Sequence, residues 1–271
     1  MKPLKLKSPY LIKPHDKVRL GKLPTVASSG PQNEAAGASL LKRHREQLNS
    51  LQEVFYASQQ FAMLIVLQGM DTAGKDGTIR HIFSGINPQG CQVTSFKTPT
   101  ALELRHDFLW RAHLAVPPLG MIGIFNRSHY EDLLFPRVHN QISAKQVRSR
   151  IEEINRFEDM LWENHVIVLK FFLHISHEEQ TRRLQARLDT PDKHWKLSPG
   201  DFAERKFWPQ YQEAYEELLT GTSRKTAPWF VVPSDHKWQS HLAISGVLAD
   251  AMKQLKLKYP APTMDPATAK L

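Results

Sequence analysis

The chain has one cysteine, Cys91, among 271 residues. An internal disulfide is therefore impossible, and a zinc site built on thiolates is excluded. Long apolar runs are missing too. Nothing approaches the ~18 consecutive apolar residues of a membrane span. The opening MKPLKLKSPYLIKPHDK lacks the apolar core of a signal peptide. The expectation is a cytoplasmic protein with no membrane partner. No internal repeat or low-complexity tract is visible, which removes solenoid and fibrous classes. Acids are the minority charge: 27 Asp and Glu face 36 Lys and Arg, a formal charge of +9. That balance points to a polyanionic partner, whether nucleic acid, an anionic membrane or a phosphorylated substrate. A merely basic solvated surface would give the same number.

What remains is an ordinary globular composition, 41% hydrophobic and 23% charged. The length suits one α/β domain with a fully buried sheet. Residues 1–38, rich in Pro, Gly, Ser and Lys, read as an N-terminal arm that lies on the body or is partly disordered. Leu41, Leu48, Leu51 and Phe55 then recur at helical spacing. FAMLIVLQ (61–68), CQVTSF (91–96), MIGIF (121–125), VIVLKFFL (166–173) and WFVV (229–232) read as strands. Near-continuous apolarity in four of them predicts burial on both faces, as in a parallel sheet between helix layers. Thr100 with Glu103, Ser143 with Gln146, and Ser176 with Glu179 fit capping boxes. Ser198 before Pro199 fits an N-cap and first helical position. The alternation predicts a three-layer α/β fold with a mainly parallel sheet, whose ligands bind at the carboxyl ends of the strands.

The first long strand runs directly into GMDTAGKDGTIRHIF. Gly69, four residues, Gly74 and Lys75 have the spacing of a phosphate-binding loop. There the glycines let backbone N–H groups curl around phosphate oxygens, and the next helix adds its positive N-terminus. Lys75 would neutralise the phosphates, with Asp76, Gly77 and Thr78 in the first turn beside them. Asp76 stands where a Ser or Thr usually holds magnesium. Asp71, inside the loop, would repel phosphate unless a metal lay between them, so it is a candidate magnesium ligand. The alternative is a solvated acid in a Gly-rich turn. A second constellation, Asn126-Arg127-Ser128-His129-Tyr130-Glu131-Asp132, closes the third long strand. Arg127 can clamp a phosphate bidentately. Asn126 contributes no charge, so Glu131 or Asp132 would have to supply the missing acid, unless both simply decorate a helix N-terminus.

These blocks, with LKFFLHISHEEQTRRLQARL and KHWKLSPGDFAERKFWPQYQEAYEELL, resemble the polyphosphate kinase 2 family from about residue 40 to about residue 258. The resemblance implies a P-loop kinase domain over residues 39–258 with a helical lid at about 128–164, leaving 259–271 as a C-terminal tail. It implies Mg2+ dependence, with Mn2+ as a substitute, and reversible transfer between inorganic polyphosphate and adenine or guanine nucleotides. A homo-oligomer with no nucleic-acid partner is expected. Asp71, Lys75, Arg127 and Asp132 become the catalytic set, Asp71 and Asp132 also holding the metal. Gly69, Gly74, Asp76, Gly77, Thr78, Asn126 and Glu131 would bind nucleotide or phosphate. Asn126 departs from the Asp of many members, and NRSHYED resembles the subgroup that accepts both AMP and ADP. Arg137, Arg183, Arg187, Lys193 and Lys196 would line the polymer's path. Trp195, Trp208 and Trp229 are open to either base stacking or core packing. Two rivals stand beside this: an ATP-using monophosphate kinase of the thymidylate kinase type, and a P-loop protein that grips nucleic acid.

Overall fold

In the computed structural model, which describes residues 2–31 and 33–264, a six-stranded sheet runs in the order β1-β6-β5-β2-β4-β3. Its strands are β1 (Leu11–Ile12), β2 (Ala62–Gly69), β3 (Cys91–Ser95), β4 (Ile122–Asn126), β5 (Val166–His174) and β6 (Trp229–Pro233). β2 to β6 are mutually parallel, and β1 alone is antiparallel, on the edge of β6. Every residue of β2, β5 and β6 is buried, as expected of strands covered on both faces.

The α-helices among the described residues are α1 (Glu34–Ser58), α2 (Lys75–Ile82), α3 (Trp110–Ala115), α4 (Glu131–Val138), α5 (Ala144–Glu163), α6 (His177–Leu188), α7 (Pro199–Glu204), α8 (Trp208–Thr222) and α9 (Lys237–Gln254). Right-handed crossovers decide their sides. The chain moves one way along the sheet from β2 to β3 and the other way from β3 through β6. α2 therefore lies on the opposite face from α3, α5 and α8. The contacts agree: α1 and α2 pack on α9, while α4 and α5 pack on α8. The connection after β2 leaves to one face and those after its neighbours β4 and β5 to the other, which opens a crevice at the carboxyl end of β2, the ligand position of such sheets.

The first helix begins at Glu34, ahead of the expected start, with Asn33 as its N-cap. Gly37 lies flat against Trp238, where a Cβ would come within 2.6 Å of the ring. The arm is bound to the body. Val18 donates its N–H to Thr220 Oγ1 and Leu20 to Glu216 Oε1, and both apolar side chains are buried. The expected tail, 259–271, is described only to residue 264, and the rest of it lies outside the described residues.

Within residues 128–164, expected as a lid, α4 and α5 each bury one face. Val147, Ile154, Phe157 and Leu161 of α5 are buried, and the helix packs on β5. A buried ion pair fastens it. Lys170 Nζ donates to Glu158 Oε2 at 2.5 Å, to Tyr130 Oη at 3.0 Å and to the Thr222 carbonyl at 2.7 Å, and Tyr130 Oη donates to Glu158 Oε1 at 2.7 Å. Burial works against Glu158's charge, but Lys170 holds the carboxyl below its ordinary range. Removing one partner of such a pair strands a buried charge, a loss of about 3–5 kcal/mol. The segment 190–207 sits on α6, with Asp201 close enough to Asp71 to feel its charge. It comprises a 3-10 helix (Pro191–Lys196), α7 and a 3-10 turn (Arg205–Phe207), with no fully buried residue.

Candidate active site

The loop between β2 and α2 owes its shape to unusual backbone. Gly69 has φ +151° and Gly74 φ +110°, and a Cβ on Gly69 would stand 2.8 Å from the Leu173 carbonyl. Thr72 is also left-handed, at φ +66°. α2 starts at Lys75, so its first N–H groups have no intrahelical acceptor and face the crevice. Lys75 folds back, its Nζ donating to the carbonyls of Gly69 at 2.8 Å and Met70 at 3.3 Å. Its pKa is lowered to about 8 in all, with burial the largest cause. Arg127 adds to the lowering, while Asp71, Glu131 and Asp76 oppose the shift.

The β4 end meets this loop. Arg127, itself left-handed at φ +59°, donates from Nη2 to Asp71 Oδ1 at 2.5 Å, and its Nη1 lies 3.5 Å from Glu131 Oε2. Burial disfavours the guanidinium's charge, but Glu131 and Asp71 more than offset it and hold the pKa above its ordinary value. Glu131 is pushed up by burial, against the pull of Arg127 and Lys75. Asn126 Nδ2 donates to Asp76 Oδ1 at 2.7 Å. Ser128, His129 and Tyr130 are fully buried, so the turn is anchored from below while Arg127 and Glu131 face the loop. Asp71, Lys75, Arg127 and Glu131 thus form one cluster, with Asp76 and Asn126 at its margin.

Asp132 sits apart. Its Oδ2 accepts from Arg111 Nη2 at 2.7 Å and Nε at 3.3 Å, and its carbonyl accepts from Arg150 Nη1. Burial raises its pKa and Arg111 opposes the rise, with no loop residue among its influences. Thr78 is buried within α2, and Gly77 is open.

Arg183 requires a correction. Expected along a polymer path, it is 6% exposed and every one of its N–H groups faces a protein oxygen. Nη1 donates to the carbonyls of Thr72 (2.9 Å) and Ala73 (2.8 Å), Nη2 to those of Ser234 (2.5 Å) and Asp235 (3.1 Å), and Nε to Glu179 Oε1 (2.6 Å). It braces the loop from behind. Arg187 pairs with Asp201 of α7 at 2.8 Å. Arg137 lies 3.4 Å from Glu217, and Lys193 and Lys196 are exposed on the 190–207 segment. Trp229 is core, whereas Trp195 is 78% exposed beside Lys196.

Sequence reasoning missed Gln180, Arg205, Asp201 and Arg111. The Asp201 carboxyl is pushed up by burial and next by Asp71, so two acids share the crevice. None of the four had a motif of its own; Arg111 lies in α3, far along the chain from the end of β3.

A family model described as polyphosphate kinase 2 matches residues 32–260. An ADP-polyphosphate phosphotransferase of Rhodopseudomonas palustris is 45% identical, covering 92% of this chain and 90% of its own length. An AMP/ADP-polyphosphate phosphotransferase of Meiothermus ruber is 43% identical, covering 93% and 95%. The crystal structure of polyphosphate kinase 2 from Arthrobacter aurescens TC1 superposes with a TM-score of 0.89 at 42% identity, over 92% of this chain and 90% of that one. With a phosphate loop, a basic clamp and this match through nearly its whole length, the chain belongs to the polyphosphate kinase 2 family.

Proposed function

We propose that the chain transfers phosphoryl groups reversibly between inorganic polyphosphate and AMP or ADP. The observation that carries this is the Lys75–Asp71–Arg127–Glu131 cluster at the carboxyl end of β2, in a chain of this family. The acceptor's phosphate is already anionic, so no strong base is required. Catalysis rests on alignment and on neutralising charge. Lys75 and Arg127 supply the cations, the loop amides hold the donor's oxygens, and the 190–207 segment covers the crevice against water.

The donor set suits a magnesium ion that arrives with the phosphates. Among the described residues no group of three or more His, Cys, Asp or Glu converges as a metal cage. Magnesium in kinases takes one or two carboxylates and completes its shell with phosphate and water. Asp71, inside the phosphate loop, is the residue that would hold it, whereas Asp132 lies apart from the loop on Arg111. When bound, the ion supplies charge neutralisation between the reacting phosphates.

The test is incubation with long-chain polyphosphate and magnesium plus each nucleoside mono- or diphosphate, with products quantified. AMP should give ADP and then ATP. Products from ATP as donor, with polyphosphate inert, would replace this reading with an ordinary monophosphate kinase.

A further inference from the structure

The phosphate loop has an odd distribution of hydrogen bonds. Five consecutive carbonyls, Gly69 to Ala73, accept from side chains: the first two from Lys75, Asp71's from Gln180 Nε2 at 3.1 Å, and the last two from Arg183. Turning the carbonyls outward leaves the amides to face an anion. The arrangement is strained, because Thr72 is β-branched at positive φ and its buried Oγ1 has no partner. Backbone of this kind persists only where its surroundings over-determine it.

The donors differ in how they are held. Arg183 is locked by the β6–α9 turn and Glu179, a fixed frame. Gln180 is held from the cover: Arg205 Nη1 donates to Gln180 Oε1 at 2.7 Å, and Arg205 Nη2 to Thr181 Oγ1 at 2.6 Å. An amide has one accepting end and one donating end, whereas a guanidinium only donates. Arg205 therefore selects the orientation in which Oε1 faces the cover and Nε2 faces the Asp71 carbonyl. With Arg205 gone, only the Asp71 carbonyl orients the amide, and Gln180 loses its tie to the cover.

We propose that Arg205 and Gln180 form a latch through which seating of the 190–207 cover sets the backbone at Asp71, making both of them positioning residues for phosphoryl transfer. Asp71 is the loop acid paired to Arg127, so an unlatched cover leaves the cluster misaligned. Water then competes with the acceptor while the donor is still bound. The latch rests on the transfer reading above, and its test separates the two.

Arg205→Ala removes the selector. Gln180→Glu keeps an acceptor for Arg205 but removes the donor to Asp71. Each should lower kcat by about 10–100-fold, the usual consequence of misplacement on the scale of an ångström. KM for nucleotide and polymer should change little, and the share of phosphate released to water should rise. Arg205→Lys, which retains one donor, should recover most of the loss. Amide hydrogen exchange with inorganic tripolyphosphate alone is the second readout. In the wild type, protection should appear together at 69–75 and 190–207; in Arg205→Ala it should appear at one segment without the other. Wild-type kcat and partition in a folded Arg205→Ala, or joint protection in both proteins, would overturn the latch. A wild type that makes no nucleotide product from polymer would overturn the transfer reading, and the exchange experiment would still decide the latch.

Discussion

Lys75 is the residue whose chemistry most constrains conditions. It is 8% exposed and carries its ammonium among three acids and a guanidinium, with burial as the largest influence on its pKa of about 8. The protonated form is the one that binds phosphate. In the ligand-free protein that form is lost as pH rises through 8, so kcat/KM for the polymer should hold near neutrality and then fall about tenfold per pH unit, because kcat/KM reports the free enzyme. Bound phosphates restore the proton, so kcat alone should decline later. Unfolding cannot mimic this. Lys75 binds fewer protons folded than unfolded between about 8 and its ordinary 10.5, so its contribution to stability grows across that window while activity falls. A kcat/KM profile from pH 6.5 to 9.5, paired with thermal melts, checks both. A flat profile would mean that Lys75 stays charged or does not touch phosphate.

At the scale of elements, the buried strands were legible because a strand covered on both faces is nearly continuously apolar, as LIVL in β2 is and as VIVLKFFL in β5 is apart from Lys170. β1 was not legible, since two residues, Leu11 and Ile12, carry no period. Two of the expected capping boxes, Thr100 with Glu103 and Ser143 with Gln146, form with both bonds, and the third forms by half. Ser176 accepts from the Glu179 N–H as a cap should, while Glu179's carboxylate turns to Arg182 and Arg183 and Asp235 takes the Ser176 N–H. Arginines on α6 look alike in sequence whether they aim at solvent or at backbone carbonyls, so Arg183's internal role was hidden. The loop and the NRSHYED turn were legible because their glycines and charges follow strand ends. The cover was not, because α7 is short and its seat is built from single contacts. One of those, Asp201 to Arg187 at 2.8 Å, occupies an arginine with a resident carboxylate. Asp201→Asn should free Arg187 for the polymer and lower its KM about 2–5-fold, in line with the modest worth of a partly exposed pair. A raised KM would instead make Asp201 part of the polymer or metal site.

On the scale of the whole molecule, the +9 charge matters through where its cations are free. Arg183 is internal and Arg111 faces Asp132, so these two are already neutralised, and Arg127 stands within the loop cluster itself. Lys193 and Lys196 are different: both are exposed on the cover. A polyphosphate chain carries charge on every unit and can reach them while its end occupies the loop, which a single ADP cannot do. Replacing both with alanine should therefore raise the polymer's KM more than that of ADP. Added salt should do the same in the wild type, because exposed contacts are screened over about 8–10 Å at physiological ionic strength while the buried cluster is screened far less. The measurement is four pairs of KM values: polymer and ADP, wild type and double variant, each at two salt concentrations. In the double variant the extra salt sensitivity of the polymer should shrink toward that of ADP. Equal shifts for both substrates would make the two lysines solvated surface, and the polymer's path would then run past Arg137 and Arg187 instead.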